Sequence, residues 1–390
     1  MNAAASLHSP GAATPIAGSL DVVHASPALA EADRLMTVCN SCRYCEGLCA
    51  VFPAMEMRRS FQDGDLDYIA NLCHACGACY VDCQFAPPHA FDVNVPKTLA
   101  SVRNESYARH VWPAALSPLF ARHGVAVALT LAATLAAFLI GFVALQNPAA
   151  VWASGTEPGA FYRLMPHNAM AALFGAAFLY MLFAIAMSVR ALWRAAGLRR
   201  FGAGEIWQAV KDAASLRYLD GGGAGCFNKD ERPVDPRRHA HHATFYGFAL
   251  CFAATSVATL YHYAGREAPY PWWDLPVVLG SLGGLGLIVG PLALLRAKKT
   301  RDPMLVDASA SCMEKAFLLM LLLTSASGFA VLFLRATPAL GVLLAVHLAV
   351  VLTLFLTMPY GKFVHGFHRF AALVRYAAEL RDLQAQEKGA

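Results

Sequence analysis

A chain of 390 residues that is 57% hydrophobic and 15% charged carries more apolar surface than one soluble core can hide, which excludes an ordinary soluble enzyme and leaves a membrane protein with a soluble piece attached. The formal net charge of +5 is no nucleic-acid signature, because the basic residues gather in particular loops and not on a binding motif.

Residues 1–30 are rich in Ala, Ser, Pro and Gly, with no basic stretch ahead of an apolar run. They read as a disordered lead-in and not as a signal peptide. Without export, the thiols that follow stay reduced and open to metal.

Cys39, Cys42, Cys45 and Cys49 then form C-x2-C-x2-C-x3-C, and Cys73, Cys76, Cys79 and Cys83 repeat it 34 residues later. Three thiols spaced two residues apart wrap one side of an iron–sulfur cubane, and the fourth ligand must come from elsewhere. In the two-cluster arrangement it comes from the other run, so Cys39, Cys42, Cys45 and Cys83 would hold one [4Fe-4S] cluster and Cys73, Cys76, Cys79 and Cys49 the other. A structural zinc site brings two separated C-x2-C pairs around one ion, whereas each run here already has four thiols. A disulfide framework would need an oxidising compartment. The proline common after the fourth cysteine stands four residues on, as Pro53 and Pro87. Cys226, Cys251 and Cys312 have no partner spacing and read as ordinary small residues.

Between the runs, Met57, Phe61, Leu66, Ile69 and Leu72 recur at helical intervals, broken by a turn at Asp63-Gly64-Asp65. The pattern predicts a small α-helical ferredoxin-like domain over residues 31–110, its last helix running from Lys97 to Trp112.

Six apolar stretches without Asp, Glu, Lys or Arg follow: 124–145, 168–189, 243–264, 275–295, 316–334 and 339–360. Each is long enough to cross a hydrocarbon core of ~30 Å at ~1.5 Å per residue. The predicted fold is therefore all-α, a two-cluster domain followed by a six-helix transmembrane bundle over 111–375 and a cytoplasmic tail, 376–390. Gly280, Gly284, Gly286 and Gly290 in the fourth span serve close helix packing. Loops after spans two and four and the tail after span six carry twenty Lys and Arg; those after spans one, three and five carry only Arg163, Arg266 and Arg335. The positive-inside rule places both termini and the cysteine domain in the cytoplasm, at the inner membrane of the cell. The glycine run from Gly221 to Gly225, inside the long loop 190–240, lacks the Lys-Ser or Lys-Thr of a phosphate loop and reads as a flexible cap near the membrane face.

His347 and His365 are 18 residues apart, five turns at about 100° per residue, so their imidazoles share a direction and are separated by ~27 Å along the axis. His262 at the outer end of span three complements His347, and His241 or His242 at its inner end complements His365. Turn counting favours His241. Two bis-histidine b haems stacked across the membrane satisfy this arrangement. His123 and His167 are the substitutes for a misassigned pair, and His74, His89, His110, His239 and His368 read as solvated or helix-end residues. Tyr360 and Lys362, beside His365, are candidate quinone donors and equally ordinary interfacial anchors.

The paired runs, together with the segments His241 to Phe248 (HHATFYGF), Thr259 to Tyr263 (TLYHY) and Met358 to His365 (MPYGKFVH), resemble the tricarballylate-utilisation protein B family, also called CitB. The 18-residue histidine spacing is also similar to the haem-bearing membrane subunit of respiratory nitrate reductase. The resemblance implies a membrane partner for a soluble FAD-dependent tricarballylate or citrate-type dehydrogenase, taking electrons from its reduced flavin. Those electrons would pass through two [4Fe-4S] clusters and b haems to the quinone pool. Two rivals are weighed beside it: the same conduit run from quinol to a soluble acceptor, and a transporter with an iron–sulfur sensor domain. The second lacks the buried mid-membrane charge that coupled transport uses. No Ser-His-Asp or paired-carboxylate arrangement suggests chemistry on an organic substrate by this chain alone.

Overall fold

The computed structural model describes residues 22–389 apart from 153, 198, 220, 224, 228–232, 235 and 308–310. Among the described residues the architecture is helical apart from one pair of two-residue strands, β1 (Cys226–Phe227) and β2 (Pro233–Val234).

Helix α1 (Pro27–Cys42) starts where Ser26 Oγ accepts from the Leu29 N–H at 3.3 Å, so it takes in the last residues of the stretch read as a lead-in. It stops at Arg43, a left-handed cap with φ 56°, which turns the chain so that the first cysteine run passes from helix into loop. After α2 (Val51–Glu56), α3 (Asp63–Leu72) begins with Asp63-Gly64-Asp65. These residues are the first turn of a helix and not a break. Two acids there suit the positive end of the helix dipole, and Gly64 lets α3 press against the Ala195 carbonyl, where no side chain would fit. A single turn, α4 (Ala78–Val81), carries Cys79, and α5 (Val95–His110) closes the domain, capped by Asn94.

Leu35 and Met36 of α1, Phe52 and Met55 of α2, Leu66 and Ile69 of α3 and Leu99 of α5 form one dry core. It continues into Leu373 and Tyr376 of the last helix, which ties the domain to the membrane part.

The six apolar helices are α6 (Ser117–Gln146), α8 (His167–Ala195), α10 (Pro236–Tyr263), α11 (Leu275–Thr300), α12 (Ser311–Leu334) and α13 (Leu340–Thr357), with the short α7 (Pro148–Val151) after α6 and α9 (Ala203–Ser215) after α8. They are long and apolar enough for a multi-pass membrane protein. Helix α13 is the central one, 61% buried over its apolar window against 28% or less for the others, whose apolar side chains face outward. Helices α10 and α11 pack on their glycines: a methyl on Gly247 would come within 2.9 Å of Gly283 O, and one on Gly286 within 2.7 Å of Ala243 O. Gly284 faces the other way, toward Phe329 and Ser325 of α12.

The sixth span does not continue as one helix to His365. It ends at Thr357, passes through a tight turn at Met358–Tyr360 and resumes as α14 (Val364–Gly389). Pro359 lacks the N–H that an unbroken helix needs there. The five-turn count from His347 to His365 therefore crosses an interruption, and α14 runs out of the bundle against α3, α8 and α9.

Candidate metal and haem centres

The two cysteine runs meet crosswise. Burial pushes the Cys39 thiol up to about 12, and Cys45, Cys83 and Cys42 are the neighbouring thiols that push it further. Burial also raises Cys49, whose neighbouring thiols are Cys73 and Cys76, two members of the other run. One small cavity is lined by Cys39, Cys42, Cys45 and Cys83, together with Cys79. Cys79 is the go-between: buried, it has Cys76, Cys49, Cys73 and also Cys45 as neighbours. Among the described residues no three His, Cys, Asp or Glu side chains close on a single ion. A cubane spreads its four thiolates around a cage instead. The donor chemistry fits such a cage, because buried thiols that resist ionising next to one another are deprotonated when a metal supplies the positive charge. Backbone N–H groups already point at sulfur: Ala75 N–H donates to Cys73 Sγ at 3.3 Å, and Val51 and Phe52 N–H groups at the start of α2 donate to Cys49.

The glycine run lies against the cysteines and not merely at the membrane face. A methyl on Gly221 would come within 3.5 Å of Cys76 Sγ, and one on Gly222 within 3.2 Å of Leu48. Cys226 follows it to the same place and is an electrostatic neighbour of Cys76, with Phe227 N–H donating to Cys76 O at 2.8 Å. Sequence spacing gave no sign of this third approach.

The second run is seated on the head-facing end of the bundle by arginines. Arg369 of α14 donates to Cys73 O at 2.6 Å, and Arg103 of α5 donates to the same oxygen. Arg237 at the start of α10 donates to His74 O and Ala75 O, each at 3.1 Å, and Arg301 reaches Ala75 O at 2.7 Å. Burial, then mutual repulsion, pulls Arg369 down to about 10 and Arg301 down to about 9. His74, read as solvated, is buried instead; burial and then Arg369, Arg237 and His241 hold it far below the ordinary histidine value. His110 and His368 are buried as well, the first on Asp67 at 3.0 Å and the second on Ser188 Oγ at 2.8 Å. Helical amphipathicity marks none of these three, because what covers each is a helix distant in the chain: α3 over His110, α8 over His368 and the arginines of α10 and α14 beside His74.

At that head-facing end the rings of His241 and His365 stand 5.9 Å apart and steeply inclined. Two imidazoles on one iron, with metal–nitrogen bonds of ~2 Å, put their centroids about 6 Å apart, so the pair fits an axial haem ligand set. His365 Nδ1 donates to the Lys362 carbonyl, which fixes the tautomer and leaves Nε2 with its lone pair. Nδ1 of His241 is buried without a partner. His242 instead inclines toward the Tyr246 ring.

The end far from the head differs. His262 stacks on His167 with centroids 3.5 Å apart, too close to flank an iron, and His347 shares a hydrogen bond of 2.9 Å with Ser327 on α12. His262 and His347 thus each have another neighbour, because α13 packs on α6 and α12 while α10 packs on α11. His123 is exposed at a kink in α6. Below them, Tyr360 Oη shares a hydrogen bond of 2.7 Å with Tyr180 Oη, and Lys362 pairs with Glu314 at 2.8 Å.

A helical domain with two interleaved sets of four cysteines, seated on the histidine-bearing end of a six-helix apolar bundle, defines a multi-pass membrane protein with a ferredoxin-like head. Residues 32–109 match the family model for the citrate utilization protein B Fer4-like domain, and residues 121–386 match that for citrate utilization protein B. Citrate utilization protein B of Escherichia coli is 49% identical over 357 residues, covering 90% of this chain and 93% of that protein. The chain belongs to the citrate utilization protein B family, the family its motifs resemble. No solved structure matches it.

Proposed function

We propose that this protein is a membrane electron conduit that reoxidises the reduced FAD of a soluble tricarballylate- or citrate-type dehydrogenase and delivers the electrons to quinone. The observation that carries this reading is the contiguity of two four-cysteine sets with a histidine pair at haem spacing. Cys39, Cys42, Cys45 and Cys83 would hold one [4Fe-4S] cluster, Cys73, Cys76, Cys79 and Cys49 the second, and His241 and His365 one haem b. These groups supply one-electron chemistry, while the chain fixes their spacing and potential. His365 is kept neutral by burial, so its nitrogen is available to iron at any physiological pH. The outer haem is not part of this proposal, since His262 and His347 are engaged elsewhere. Quinone would be met near Tyr360 and Lys362, where a phenol pair and an ammonium–carboxylate pair lie beside the inner histidines.

The cysteine head and α14 share the side that carries the twenty basic loop residues, which supports a cytoplasmic head with both termini inside. The test is an anaerobic mixture of reduced flavoprotein dehydrogenase with the purified membrane protein. The b-type Soret band sharpens on mixing and relaxes when quinone is added. A band that stays oxidised beside an active, reduced flavoprotein would refute the conduit.

A further inference from the structure

The two cysteine sets sit in opposite electrostatic surroundings. Around the second set, Arg103, Arg237, Arg301 and Arg369 all point their guanidinium groups at the carbonyls of residues 70–75. Among the described residues none of the four pairs with a carboxylate, although other arginines of the same domain do: Arg58 bonds Glu379 at 2.6 Å and Arg109 bonds Asp67 at 3.2 Å. Buried cations without counter-ions are costly unless something anionic shares the site. Carbonyl dipoles solvate four guanidinium groups in part but cannot neutralise them.

The first set has no such collar. Cys42 is exposed, the neighbouring Tyr44 is 73% exposed, and the charged side chain acting on Cys45 is Asp82, an anion. Water and a carboxylate lie beside one set; four partly desolvated cations line the bundle side of the other, whose opposite side, at Cys49, faces an open cavity lined by Glu46, Glu205, Asp212 and Arg217.

From this asymmetry we infer that the arginine collar is the counter-charge of an anionic cluster on Cys49, Cys73, Cys76 and Cys79, and that it sets electron flow inward from the exposed first set to the collared second. Each electron that a cluster accepts adds one negative charge and breaks no bond. Buried positive charge stabilises the reduced form and raises its potential, whereas Asp82 lowers that of its neighbour. The electron leaves the first cluster as it is oxidised and arrives on the second as it is reduced, one for one. Arg237 and Arg369 stand one helical turn from His241 and His365 respectively, so the collar also bridges the second set to the inner histidine pair, with His74 between them. This rests on the conduit reading and chooses its direction against the reverse, quinol-to-acceptor alternative.

The experiment is a potentiometric titration of the purified protein followed by electron paramagnetic resonance, with Cys42→Ser and Cys76→Ser used to assign each signal to its set. The second set takes up its electron at the higher potential. Arg237→Gln and Arg369→Gln move that potential down and leave the first set where it was; Arg369→Lys, which keeps the charge, restores most of the shift. Should either variant fail to assemble, the order of the two potentials in the unaltered protein decides alone. A second set at or below the first, or glutamine variants that leave it unmoved, would overturn the inference while the conduit stands. A protein with no cluster signal at all would remove both.

Discussion

The two ends of the membrane bundle carry the same residue type at matched depths and do different things with it. At the head-facing end the cysteine head lies over His241 and His365, whose rings stand 5.9 Å apart, and half-buried arginines flank them. At the far end His262 lies flat on His167 and His347 turns to a serine. Histidine spacing along a helix therefore fixes depth but not partnership, which depends on which helices pack and on what caps them.

Replacing His241 or His365 by Ala should have the largest effect, abolishing the b-type Soret band of the purified protein, while His262→Ala and His347→Ala leave most of it. If the outer replacements each halve the band, a second haem exists and the two ends are more alike than their side chains indicate. Next comes the joint between head and bundle. Glu379 on α14 accepts from Arg58, Arg375 and Tyr68 in a buried network, and Glu379→Ala would leave both arginines only Asp65 as a carboxylate partner, at a cost of about 3 kcal/mol, the low end for a broken buried pair. Urea-induced release of the head, followed by iron loss, should shift to correspondingly lower denaturant. Gly64→Ala probes the same joint: even one methyl would meet the Ala195 carbonyl, so α3 and α8 must move apart, at a cost of about 3 kcal/mol, the upper end for overpacking, read in the same titration.

The last effect is one of pH and is seen only above the physiological range. Burial raises Cys39 from 9.0 to about 12 in the metal-free head, so the neutral thiol is the form the fold prefers. Its contribution to stability is complete below pH 9 and is lost as pH rises from there toward 12. Metal-free protein should unfold at progressively lower denaturant across that range. Iron-loaded protein should not, because its thiolates are already formed.

Much of this could be read from sequence because the signals are local. Each cysteine run declares its own spacing, and each span is a continuous apolar stretch whose charge-free length needs no partner to be recognised. Turn counting within one helix favours His241 over His242, and it is the His241 ring that neighbours His365. What escaped detection depends on contacts between distant segments. His74 and the four arginines have no periodicity that announces burial, and the glycine run found its partner in Cys76 and Leu48, far away in the chain. The count from His347 to His365 assumed a continuous helix that Pro359 interrupts.

The most direct test of the account is iron content in paired cysteine variants. Crosswise ligation predicts that Cys49→Ser with Cys76→Ser damages one cluster and leaves about four of about eight irons per chain, whereas Cys49→Ser with Cys45→Ser damages both and leaves almost none. The opposite result, in which the two changes within the first run spare a whole cluster, would show that each run binds its own metal and contradict the interleaved head.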